Sequence, residues 1–203
     1  METNKQIKDI SQHLRSHVII LGTFVALIWF IEAVDWILGG HLDQFGIIPR
    51  QLIGLRGILL APLLHGSFSH TAANTIPFII LGWFVLLRGV RSFAIVTALA
   101  VLIGGIGTWL FAPSSSVHIG ASGLIFGFLG YLIFRGYFER SWQAIGWAIL
   151  VLLLYGGMLL GMLPTTLPVS WQMHLFGFIG GGLAAYILSK EEDSPFSITD
   201  QLH

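Results

Sequence analysis

The chain has 203 residues, of which 55% are hydrophobic and only 10% charged, with a mean hydropathy of +0.81. Soluble domains carry about 25% charged residues, so a soluble globular protein is excluded and a polytopic membrane protein is indicated. Ten basic and ten acidic residues cancel to a formal net charge of zero and cysteine is absent, which excludes a nucleic-acid surface, disulfides, thiol catalysis and thiolate metal sites.

Residues 1–17 carry Lys5, Lys8 and Arg15 with two acids and no apolar run; they read as a cytoplasmic tail rather than a cleaved signal. Val18 to Gly39 is the first span. Its outer third holds Glu32 and Asp35, three apart on one helix face and expected at the interface or against a polar loop. Residues 41–69 are broken by Gly46, Pro49, Gly54, Gly57 and Pro62 yet contain Ile58-Leu59-Leu60, so they read as an outer loop lying partly in the membrane. The second span runs from Ser69 to Leu87, and Arg88 and Arg91 mark the turn to the third, Ser92 to Ala112. Pro113-Ser-Ser-Ser116 is a loop signal. A fourth span follows from Val117 to Phe134, then Arg135 and Arg140, then a fifth from Trp142 to Leu163. Pro164 and Pro168 bound a short loop before the sixth span, Ser170 to Leu188. The expectation is an all-α, six-helix membrane domain over 18–189 between tails at 1–17 and 190–203.

Of the ten basic residues, all but Arg50 and Arg56 fall in the tails or in the turns after the second and fourth spans. The positive-inside rule then places both termini in the cytoplasm. Spans two, four and six all enter from the outer face, and His70, Asn74, Ser122 and His174 fall about one turn inside those entrances. Small residues on membrane helices often serve packing alone, but ionisable residues inside a membrane mark function. A serine becomes a nucleophile when a base takes its proton, and His174 is the histidine of span six. With no acid near the entrances of spans four or six, a dyad is expected. His70 and Asn74, four apart on one face, can aim donors at an oxyanion together with the Ser122 N–H. Gly123 and Gly127 on one helix, and Gly177 and Gly181 on the other, let spans four and six approach closely.

These residues carry a family resemblance. Gly120-Ala-Ser122-Gly123 matches a GxSG motif, His65, His70 and Asn74 match HxxxxHxxxN, and His174 with Gly177 and Gly181 matches the last motif of the rhomboid intramembrane serine proteases in their basic six-helix form. The chain resembles that family over residues 18–189. The resemblance implies Ser122 as nucleophile, His174 as general base, His70 and Asn74 in the oxyanion hole, and His65 as its structural neighbour. It also implies transmembrane-protein substrates, a multi-pass place in a bacterial inner membrane, and no cofactor or metal. Three positions depart from the pattern: Leu55 stands where the family has tryptophan before Arg56, Met173 where alanine is frequent, and Phe126 where a tyrosine often packs on the histidine. His118 is expected to be a polar rim residue, and His13, His17, His41 and His203 to be solvated.

Two other functions fit parts of the pattern. A catalytically inactive relative would bind membrane clients without cutting them, but such proteins usually lose the serine or the histidine. A transporter would need polar residues continuing into the inner half of the bundle, where spans four and six have almost none.

Overall fold

The computed structural model describes residues 2–165 and 169–192. Among them the chain is helical, with one isolated two-residue bridge and no strand. The α-helices are α1 (Glu2–Ile37), α2 (Gly57–Leu60), α3 (Phe68–Leu86), α4 (Val90–Phe111), α5 (Ser122–Glu139), α6 (Trp142–Tyr155) and α7 (Trp171–Glu192). Six are long, and α2 is one turn within the long loop between α1 and α3.

Leu14–Ile37, Phe68–Leu86, Val90–Phe111 and Trp142–Met162 are long and apolar enough to cross a membrane. Four helices of this kind fit the membrane protein that the composition indicates. α5 has a different character. Gly123 through Leu132 are all buried, because α3, α4, α6 and α7 surround this helix. A helix enclosed by protein needs close approach rather than lipid-facing bulk. Its largest interface is with α7, and that interface is glycine on backbone. A Cβ on Gly177 would overlap the Gly123 carbonyl oxygen, and one on Gly181 would overlap the Gly127 carbonyl oxygen. Gly123 also receives Met173, and Gly127 receives Ala100 of α4. The apolar core, including Leu21, Phe78, Leu81, Phe128 and Leu129, fills the space between α1, α3 and α5.

Several boundaries differ from the sequence reading. α1 starts at Glu2, so the helix continues through the segment read as a tail; Lys, Gln and Glu there are good helix formers. That extension carries His17 onto α3, where it is buried and meets Trp83 edge-on at 5.1 Å instead of being solvated. His41 is exposed; the His13 side chain, His203, most of the carboxyl tail and residues 166–168 lie outside the described residues. α5 begins at Ser122, not Val117, because the preceding segment is held extended. α6 gives way at Tyr155 to a 3-10 segment, Gly156–Met162, where Gly156, Gly157 and Gly161 weaken the α-helix. Glu32 and Asp35 are buried, and Asp35 Oδ1 accepts the Leu42 N–H at 2.6 Å. At the end of the bundle opposite Ser122, Arg91 pairs with Glu191, and Arg88 and Arg135 with Glu139.

The long loop between α1 and α3 is fastened to the start of α5. Ile47 and His118 exchange both backbone hydrogen bonds at 2.9 Å, and the Gly120 N–H donates to the Ala61 carbonyl at 2.9 Å. Arg56 reaches the Gln44 carbonyl and lies over the Phe45 ring. Leu55, in the tryptophan position, is 40% exposed.

Candidate active site

Gly120 sets the geometry of the site. Its φ of +115° is a conformation side chains rarely adopt, and it turns the extended segment 117–119 into α5. A Cβ there would meet the His70 ring at 2.8 Å. The chain therefore delivers Ser122 as the first residue of α5, with its side chain in the cavity at that end of the bundle. The helix start leaves N–H groups without intrahelical partners. Of the neighbouring amides, that of Gly120 goes to Ala61 and that of Ala121 to His65 Nε2 at 3.3 Å.

α7 brings His174 to the same place. Its Nε2 lies 2.8 Å from Ser122 Oγ, and its Nδ1 lies 2.9 Å from the Gly161 carbonyl oxygen. A carbonyl only accepts, so Nδ1 must carry the proton. In the neutral ring Nε2 is then the acceptor, and the Ser122 hydroxyl donates to it. Phe126, one turn along α5, stacks on the imidazole at 4.2 Å with the planes 7° apart. The ring is thus fixed through one edge, one face and its Ser122 contact. Gly161 escaped the sequence reading because it acts through its carbonyl, to which residue identity is blind; the proximity of its position to His174 arises from the 3-10 segment.

His70 and Asn74 lie one turn apart on α3 and line the same cavity as Ser122 and His174. Ser67 caps that helix, accepting the His70 N–H at 3.2 Å, which places His70 in the first turn. One Asn74 Nδ2 hydrogen goes to the His70 carbonyl at 3.2 Å, leaving the other for the cavity. His65 is buried, edge-on to His70 at 5.0 Å, and burial with the neighbouring His70 lowers its pKa to about 4. Gly123, Gly127, Gly177 and Gly181 do not line the cavity; they pack α5 against α7. The cavity has a volume of about 910 Å³, ample for a length of extended peptide and water. No group of three or more metal-ligating side chains occurs among the described residues.

Chemically, the arrangement is a serine hydroxyl donating to a neutral, oriented imidazole beside side-chain and backbone N–H groups. Fold and site together define a helical integral membrane protein with a serine–histidine pair at one end of its bundle. The Rhomboid domain family model matches residues 53–191, and the chain belongs to the rhomboid family. It is 45% identical over 178 residues to the uncharacterized protein Rv1337 of Mycobacterium tuberculosis, covering 84% of this chain and 74% of that one. It is 31% identical over 140 residues to the putative rhomboid protease YdcA of Bacillus subtilis, covering 66% and 68% of the two chains. Against the rhomboid protease GluP of the same organism it is 32% identical over 161 residues, 76% of this chain and 31% of GluP.

Proposed function

We propose that this chain is an intramembrane serine endopeptidase that cuts membrane proteins within or beside a transmembrane segment. The observation that carries the reading is the 2.8 Å Ser122–His174 hydrogen bond, with Nδ1 committed to Gly161. Ser122 Oγ attacks the scissile carbonyl carbon while His174 Nε2 takes the hydroxyl proton. The carbonyl oxygen becomes an oxyanion facing the His70 and Asn74 side chains and the Ser122 N–H. The C–N bond then breaks, His174 gives its proton to the leaving amine, and the acyl group stays on Ser122. A water deprotonated by His174 attacks the ester, releasing the carboxyl product and restoring Ser122.

The Gly161 carbonyl replaces the carboxylate of a triad: it selects the tautomer and orientation but adds no charge. The proton transfers therefore run through two side chains, Ser122 and His174, while His70 and Asn74 face the oxyanion. α1 and α3 to α7 are the six spans on this reading, with both termini cytoplasmic in a bacterial inner membrane and the cavity opening outward to water. A helix satisfies its own backbone, so substrates are segments that unwind readily near the outer interface.

The test uses proteoliposomes holding the protein and a single-span model substrate with glycines near its outer end. Mass spectrometry should find two fragments meeting near that interface, and none with Ser122→Ala or His174→Ala. Substantial turnover by either folded variant refutes the dyad. Substrate capture with no cleavage by the unmodified protein would favour an inactive, client-binding relative instead.

A further inference from the structure

His118 lies outside the machinery above, yet it is 8% exposed and both ring nitrogens are committed. The protons can be placed. The Ser116 hydroxyl lies 2.6 Å from the Pro113 carbonyl, which only accepts, so Ser116 donates there. Ser116 Oγ must then accept from His118 Nε2–H, at 2.7 Å. In the neutral ring, Nδ1 is left to accept the Ser170 hydroxyl proton, also at 2.7 Å. The order is Ser170 to His118 to Ser116 to Pro113. Burial holds the His118 pKa down to about 4, so the neutral form prevails at working pH.

The two ends of this chain belong to the two halves of the site. His118 is fixed through its backbone to Ile47 and stands four residues before Ser122. Ser170 stands four before His174, and its carbonyl accepts the His174 N–H at 3.1 Å. Gly123 already packs on Met173 beside the reacting pair. About one turn before that contact in both segments, the His118 ring adds a hydrogen-bonded link between the segment leading into α5 and the residue that precedes α7. We infer that His118 is a positioning residue for the Ser122–His174 pair, acting through Ser170; the inference rests on the serine-protease reading.

Two amide replacements separate the two arms. His118→Asn would place the amide oxygen near the former Nδ1 position, within reach of Ser170. His118→Gln would instead place the amide nitrogen near the former Nε2 position, within reach of Ser116. The readout is the second-order rate at which a fluorophosphonate labels Ser122, since that rate depends on His174 being aligned. His118→Ala and Ser170→Ala should each slow labelling by about tenfold or more, and the double variant should be no slower than either, because both break one link. His118→Asn should recover most of the rate and His118→Gln should not, although both disturb the same buried site and should melt alike. Wild-type labelling in His118→Ala or in Ser170→Ala overturns the inference, as do equal losses in His118→Asn and His118→Gln. An unmodified protein with no Ser122-dependent labelling removes the protease reading itself, an outcome distinct from those.

Discussion

Gly177→Ala is the smallest change that should separate Ser122 from His174. The added Cβ would overlap the Gly123 carbonyl oxygen and lie 2.9 Å from its carbon and 3.2 Å from Cα. All three are backbone atoms of α5, so no rotamer change relieves the contact and the helices must part by roughly 1 Å to reach ordinary van der Waals separation. Gly177 follows His174 by three residues and Gly123 adjoins Ser122, so the wedge acts where the 2.8 Å hydrogen bond is made. Overpacking of this kind costs about 1–3 kcal/mol of stability, and a displacement near 1 Å at a reacting pair costs about 10²-fold in rate. Gly181→Ala is the control. Its Cβ meets the Gly127 carbonyl oxygen just as closely, but about 6 Å further along the helix, so it should destabilise similarly and slow the reaction less. The assay is the fluorophosphonate labelling rate beside the melting temperature for each variant. Wild-type values of both in Gly177→Ala would refute the close α5–α7 contact. Equal rate losses in the two variants would refute the distance argument.

Asn74→Ala should cut turnover of a transmembrane substrate by at least tenfold, since losing one oxyanion donor costs about 2.7–4 kcal/mol and water can replace part of it; full rate with lowered melting in both Asn74→Ala and His70→Ala would reassign the pair to structure. Phe126→Leu keeps an apolar side chain but removes the ring stacked on His174. An aromatic pair is worth about 0.5–1.5 kcal/mol, so labelling should slow roughly two- to twelvefold, and an unchanged rate would show that Gly161 alone orients the imidazole. Asp43, in the loop between α1 and α3, is raised from 3.8 to about 6 by burial and then by the charge of Asp35. The folded state thus holds this proton more tightly than the unfolded state, and stability should fall as pH rises from about 4 to about 6. Asp43→Asn should flatten that part of the melting curve against pH, and an unaltered slope would contradict the shift.

How much of this was legible in the sequence depended on whether side chains or backbone carried the information. Ser122, His174, His70 and Asn74 could be picked out because polar groups in an apolar chain are costly and therefore conspicuous. The small residues of α5 and α7 were legible as a spacing, since glycines four apart make one flat face. The start of α5 was not. Val117 to Ile119 look apolar enough for a helix, and only pairing with Ile47, some seventy residues earlier, holds them extended. The Gly161 carbonyl was invisible for the same kind of reason: any residue has a carbonyl, and tertiary placement decides which one faces His174. His17 was misjudged because an isolated histidine in a tail resembles a solvated one, whereas His118, expected at the polar rim, does line the cavity. Burial of His17 depends on α1 running unbroken from Glu2, and commitment of His118 on two serines, one of them 52 positions away.

On the proposed function, Ser122 is a nucleophile because His174 accepts its proton. The most direct test of this claim is labelling of the membrane-embedded protein with a fluorophosphonate, followed by peptide mapping of the modified residue. A single adduct on Ser122 is expected, lost in Ser122→Ala and slowed by at least about 10³-fold in folded His174→Ala. An adduct on another serine, or labelling of Ser122 at the wild-type rate without His174, would contradict it.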